Sequence, residues 1–246
     1  MNHLLPLVAA LAGLPLGFWA RDLAIRHSVG EEALLGHACP RCATAVGGGP
    51  VASLRLAAGR CPGCRARIGP PPLVAEVLTA VTLAALASRY PWPELAAYGW
   101  LTAVTVALVA VDVAVHRLPD RLTAAAFLGT VAPLTAAALT RDGAPDLARA
   151  LLGGLVLTGL YLLLFLVNPE GMGLGDVKFA AALGVALGRL GWDALVTGAF
   201  LGFLAGGLYG GALVAARRAG RGSEIPFGPF MAAGAFAVIL TAQGIR

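Results

Sequence analysis

The sequence predicts an all-α fold: a polytopic membrane helix bundle of about eight spans with a small zinc-binding loop domain. Three observations carry that expectation. The 246 residues are 58% hydrophobic and only 13% charged, and mean hydropathy is +0.80, values foreign to a soluble domain of this length. The apolar residues fall in blocks of helix-spanning length, separated by charged, Pro-rich or Gly-rich breaks. All four cysteines lie in one polar segment between the first two blocks.

Taken in order, the blocks place spans near residues 4–20, 73–88, 95–112, 122–140, 147–167, 177–189, 193–215 and 226–243. The first has no basic residue ahead of it and no clear small-residue cleavage site, so it reads as a retained helix rather than a signal peptide. The organisation is then a first transmembrane helix (1–20), a polar loop domain (21–72) and a transmembrane domain (73–246). The sixth block is short and Gly-rich, which suits a tilted helix or one buried among others and extended into its flanks. Thirteen of the 18 basic residues, including Arg21, Arg26, Arg117, Lys178 and Arg217, fall on one side of this topology. Lys and Arg concentrate on the cytoplasmic side, so the loop domain is expected there, with the N-terminus outside. The net charge of +5 needs no nucleic-acid partner, because anionic inner-leaflet lipids attract residues so placed.

Within the loop the cysteines are paired as Cys39-Pro40-Arg41-Cys42 and Cys61-Pro62-Gly63-Cys64, with 18 residues between the pairs. That is the spacing of a four-thiolate zinc site, in which each turn aims two sulfurs at one tetrahedral ion. The alternative, a pair of disulfides, requires an oxidising compartment, against the charge bias. A loop of this size holds too little apolar surface to fold alone, so the metal supplies its folding free energy. His37 is surplus to a complete four-sulfur set.

Two carboxylates sit where carboxylates are costly. Asp176 follows Gly171-Met172-Gly173-Leu174-Gly175 just after the apolar stretch Leu151 to Val167, and Asp112 ends the stretch beginning at Leu101. An ionisable group at such a position marks a functional site. Both lie at the same predicted membrane face and suggest a dyad, in which one acid takes a proton from water and the other polarises a carbonyl. Gly173 and Gly175 let the backbone turn tightly and an extended substrate approach Asp176. Lys178 either biases the dyad's charge or snorkels to the lipid surface. A bland reading stands beside this one: Asp176 opens a helix and can serve as its cap. Asp112 resists that reading, since the helix macrodipole disfavours an anion at a C-terminus. Asp120 after Pro119 reads as a cap of the next helix, and Asp142, Asp146 and Asp193 read as loop and cap residues of the other face.

These residues resemble the bacterial type IV prepilin peptidases, the bifunctional leader peptidase and N-methyltransferases of the GxGD aspartyl protease class. The paired cysteines followed by Pro72-Leu73-Val74-Ala75-Glu76 look like that family's zinc loop and second helix. Asp112 through Leu118-Pro119-Asp120 is similar to its first catalytic motif, Gly171 through Lys178 to its second, and Ile225-Pro226-Phe227-Gly228-Pro229-Phe230 to the motif opening its last helix. The resemblance implies Asp112 and Asp176 as catalytic acids, prepilins or type II secretion pseudopilins as substrates, and the bacterial inner membrane as location. It also implies S-adenosylmethionine as methyl donor, with Glu76 and Arg26 on the methyl-transfer side, although Arg21 stands where the resemblance leads one to expect Asn. A carboxylate-based transporter is the rival from another class. Both acids near one face, and no visible inverted repeat, speak against it. An inactive zinc-loop scaffold in pilus assembly is the third reading.

Overall fold

The computed structural model describes residues 4–27, 39, 41–44, 60–61, 63–66, 70–140, 143–169, 171–217 and 225–242. They form eight helices: α1 (Leu4–His27), α2 (Val74–Ala87), α3 (Glu94–Val115), α4 (Asp120–Thr140), α5 (Ala144–Val167), α6 (Leu174–Leu190), α7 (Trp192–Ala215) and α8 (Gly228–Thr241). Five of them, α1, α3, α4, α5 and α7, are long and apolar enough to cross a membrane. At about 1.5 Å per residue the others reach only about 21–26 Å. Large apolar side chains such as Leu11, Leu155 and Phe200 are exposed along α1, α5 and α7. A water-soluble monomer does not tolerate this much apolar surface; in a multi-pass membrane protein it faces lipid.

Helix ends depart from the sequence reading where it matters most. The first helix runs to His27 instead of 20 because Ala20, Arg21, Ala24 and Ile25 are buried against the rest of the chain, so tertiary packing carries it past the apolar block. The third continues to Val115, placing Asp112 inside its last turn. The sixth begins at Leu174 instead of 177, which puts Asp176 inside its first turn. Glycine discourages helix in an isolated segment, but here Gly175 is backed by the turn after α3.

The centre of the bundle is α6, the short Gly-rich element, which buries Phe179, Leu183, Ala186 and Leu187 among α4, α5 and α8. Its closest partner is α5. A Cβ at Gly184 would stand 2.6 Å from the Gly153 carbonyl oxygen, and one at Gly153 would stand 2.7 Å from that of Gly184. Small residues at such crossings let backbones touch where no hydrophobic force drives helices together. The same device joins α1 to α2, where Gly13 and Gly17 face the backbones of Ala80 and Glu76. Directed hydrogen bonds hold α3 in place: the Tyr98 hydroxyl donates to the Ala186 carbonyl of α6 at 3.3 Å, and Trp100 Nε1 donates to the Ala125 carbonyl of α4 at 2.7 Å. At the far ends of α3 and α6, Arg189 meets Glu94 at 2.7 Å and Asp146 of α5 at 3.0 Å. Asp146, expected as a loop or cap residue, is therefore part of an ion-pair network.

Candidate functional site

Asp112 and Asp176 arrive from different helices at one end of the bundle. Both are buried, 5% and 7% exposed. Helix α3 closes after Asp112 with His116 in the left-handed region, φ 53° and ψ 38°, its amide donating to the Asp112 carbonyl at 2.8 Å. The chain turns through Leu118 into α4, and this turn carries the first turn of α6. A Cβ at Gly175 would lie 2.7 Å from Leu118 Cβ and 3.2 Å from the Leu118 carbonyl oxygen. The glycine therefore serves a close approach between two protein segments, beyond the substrate access expected of it. Gly173 stands in extended backbone at φ −81° and ψ 148°, open to any residue, and a Cβ there would meet its nearest neighbour at 3.5 Å.

Each carboxylate is met by an amide at a helix N-terminus, where backbone N–H groups lack partners of their own. The Gly173 amide donates to Asp176 Oδ2 at 3.1 Å. The Gly228 amide, at the start of α8, donates to Asp112 Oδ2 at 2.9 Å. An anion at the C-terminal end of α3 is thus offset by the N-terminal end of α8. The capping reading of Asp176 accounts for one oxygen only. Its Oδ1 is buried with no hydrogen-bond partner among the described residues, and a bare buried carboxylate oxygen is not what a cap requires. Asp112 and Asp176 also lie within charge–charge range of one another. Two acids so placed influence each other's charge and can divide the roles of acid and base on one substrate.

Two contributors were not singled out from the sequence. Gly228 is one: a Cβ there would stand 2.8 Å from Asp112 Oδ2. Its signal was the Pro226-to-Pro229 motif, which marked a helix start but no partner. Tyr161 is the other, a lone phenol in an apolar span, now buried beside the pair. Its ring lies 5.2 Å from that of Phe203 and 6.1 Å from that of Phe227, the residue before Gly228. Lys178 is drawn away from the pair: its Nζ bonds Asp120 Oδ1 at 2.7 Å at the exposed rim. Glu76 is met by Arg21 at 3.0 Å in a buried contact, while Arg26 is occupied by Asp22 at 2.7 Å.

The cysteines form a second centre. Their four Sγ atoms lie within 4.8 Å of one another and all are free thiols. Two matching turns build the cluster. The Cys39 amide donates to the Thr44 carbonyl at 2.9 Å and the Cys61 amide to that of Ala66 at 2.8 Å, with Ala43 and Arg65 both left-handed after the second cysteine of their pair, at φ 54° and 57°. Hydrogen bonding with Thr44 pulls the Cys42 thiol down to about 6 and the backbone at Arg41 lowers Cys39, while, against a hydrogen bond from the Ala66 backbone, burial and the neighbouring sulfurs push the Cys64 thiol up to about 11. The mixed shifts mark four sulfurs sharing charge at close quarters, and it is their convergence that lets the cluster hold a metal ion. Ile25 of α1 packs on Cys39 and Cys61, fixing the cluster to the bundle. His37 lies outside the described residues.

A model of the type IV leader peptidase family matches residues 99–211, a range that runs from α3 to α7 and includes both carboxylates. Beyond it, the chain is 36% identical over 221 residues to the prepilin leader peptidase/N-methyltransferase of Aeromonas salmonicida, covering 84% of this chain and 72% of the relative. The chain belongs to the type IV leader peptidase family. The Aeromonas hydrophila protein of the same name shows 36% identity over 213 residues, with the same coverage of both chains, and that of Burkholderia pseudomallei shows 37% over 218 residues, covering 82% of this chain and 66% of its own. No solved structure matches. In this leader peptidase family member, Gly228 and the cysteine turns fall outside the 99–211 match, yet one touches the carboxylate pair and the other is anchored to the same bundle.

Proposed function

We propose that the chain is a membrane aspartyl endopeptidase that removes the leader from type IV prepilins or type II secretion pseudopilins and then methylates the new N-terminus. Asp112 and Asp176 are its catalytic pair. The observation that carries this reading is Asp176 Oδ1, a buried oxygen without a partner among the described residues, beside a second buried carboxylate. In the reaction, the ionised member of the pair takes a proton from water as the water oxygen bonds to the scissile carbonyl carbon, and the protonated member gives its proton to the carbonyl oxygen. Collapse breaks the C–N bond, with a proton passing to the departing amine. The basic-residue bias supports the cytoplasmic face of the inner membrane as the site of this chemistry, where a basic leader meets an apolar helix. The test is cleavage of a prepilin-type precursor by purified protein in detergent, with a product cut after a glycine. An intact precursor beside well-folded protein would sink the proposal.

Asp120, which pairs with Lys178 at the rim with 73% of its side chain exposed, is outside the pair. Asp120→Asn is expected to cost under about 1 kcal/mol of stability and to retain most of the cleavage rate; a dead Asp120→Asn enzyme beside an active Asp112→Asn enzyme would exchange their roles.

For the cysteine cluster we propose one structural zinc ion held by Cys39, Cys42, Cys61 and Cys64, a cross-link between the two turns. Metal analysis should return about one zinc per chain, and less than half of that in Cys61→Ser. Absent metal with two disulfides by mass spectrometry would refute the site. The methyl donor belongs to the same functional reading as S-adenosylmethionine. Glu76 Oε2, buried without a partner among the described residues, would offer it an acceptor, and Arg21, not Arg26, holds that carboxylate in place.

A further inference from the structure

Glycines spaced one turn apart on α7, Gly198, Gly202, Gly206 and Gly210, face α8 and the segment before it. Over the first two the contact is backbone on backbone: a Cβ at Gly202 would stand 3.1 Å from the Phe230 carbonyl oxygen, and one at Gly234 would collide with the Gly198 carbonyl. One turn nearer the carboxylate pair the occupant changes to a ring. A Cβ at Gly206 would stand 2.7 Å from Phe227 Cε2 and 3.3 Å from its Cδ2. Three further rings border that seat, with centroids 5.4 Å away for Phe203, 6.1 Å for Tyr161 and 6.2 Å for Phe230, separations at which aromatic pairs attract.

The seat gains its meaning from the next bond. Phe227 and Gly228 share one planar peptide unit. Its carbonyl accepts from the Phe230 and Met231 amides at 3.0 and 3.1 Å, opening α8, and its N–H is the one that donates to Asp112 Oδ2 at 2.9 Å. A planar unit held at both polar ends turns only as a whole, and the Phe227 Cα, steered by the seated ring, bounds it on one side. We propose that Phe227, seated on Gly206, is a positioning residue: it sets the aim of the Gly228 amide and, through that bond, the place of Asp112 relative to Asp176. The inference rests on the assignment of Asp112 and Asp176 as the catalytic pair, and it brings α7 into the construction of the site.

Precursor cleavage by the purified full chain tests it. Gly206→Val fills the seat and should lower kcat by about tenfold to 100-fold, the effect of shifting a catalytic group by up to 1 Å. KM should stay within about twofold of the parent, because on this assignment neither residue touches substrate. Gly207→Val is the control, since a Cβ there meets nothing within 4 Å, and its rate should match that of the parent. Valine is a better helix former than glycine, so a loss confined to position 206 is not a loss of α7, and both variants should melt close to the parent. Where Gly206→Val purifies poorly, Gly206→Ala against Gly207→Ala makes the same comparison, because a single added carbon already meets the ring. Phe227→Leu in the Gly206→Val background shortens the displaced side chain and should recover part of the lost rate. A double variant slower than Gly206→Val, or equal rates for substitutions at 206 and 207, would overturn the positioning role while leaving the peptidase reading intact. A rise in KM with kcat unchanged would overturn it too, by making Phe227 a substrate contact. A parent protein that leaves the precursor whole would overturn the catalytic pair, and the positioning role with it.

Discussion

Asp112→Asn and Asp176→Asn are each expected to lower precursor cleavage by on the order of 10³-fold or more, while the protein still inserts, purifies and melts close to the parent. The geometry explains why chemistry and fold separate. An amide oxygen at 112 still accepts from the Gly228 amide, now at 2.9 Å, and one at 176 still accepts from Gly173, now at 3.1 Å. Shape and helix-terminus bonds survive; only the capacity to take up and release a proton is lost. In the proposed mechanism the two acids act as one unit, so the double variant should be no slower than either single one. A single variant within about tenfold of the parent rate would remove that residue from the catalytic pair.

Gly175→Val should be nearly as damaging, through position instead of protonation. Its first side-chain carbon would stand 2.7 Å from Leu118 Cβ, with backbone atoms of the same residue at 3.2 and 3.3 Å, and valine adds two methyls beyond it. Leu118 belongs to the turn directly after Asp112, so the only relief is to part the start of α6 from the end of α3, which separates the carboxylates. A displacement of about 1 Å in a catalytic group costs about 100-fold in rate. Gly173→Ala is the control. Its Cβ meets its nearest neighbour at 3.5 Å and its backbone is extended, so its cleavage rate should stay close to that of the parent. Equal activity in the two variants would show that the Gly175 contact does not set the site.

Much of this was legible because lipid punishes unpaired polarity. Asp112 and Asp176 stood out as acids in or beside apolar blocks, and the two Cys-x-x-Cys pairs are a local pattern that needs no partner from afar. What escaped the sequence is long-range. Gly228 reaches Asp112 across 116 positions, Lys178 finds Asp120 across 58 and Arg189 finds Glu94 across 95. No periodicity announces such partners, since each is chosen by which helix ends meet. The start of α6 was missed for a related reason. Gly-Leu-Gly reads as a break when only local propensity is weighed, whereas packing on Leu118 makes the second glycine the residue that fits.

The Arg189–Glu94 contact joins the far ends of the two helices whose near ends carry Asp112 and Asp176. The arrangement is that of tongs pinned at the handle. Glu94 and Asp112 are separated by about 27 Å of helix, so a rotation of only about 2° at the pin swings the Asp112 tip by about 1 Å, the scale on which a catalytic constellation is made or unmade. Under the proposed assignment of the carboxylate pair, whatever tightens or loosens that pin acts on peptide cleavage from the opposite end of the bundle, without approaching the substrate.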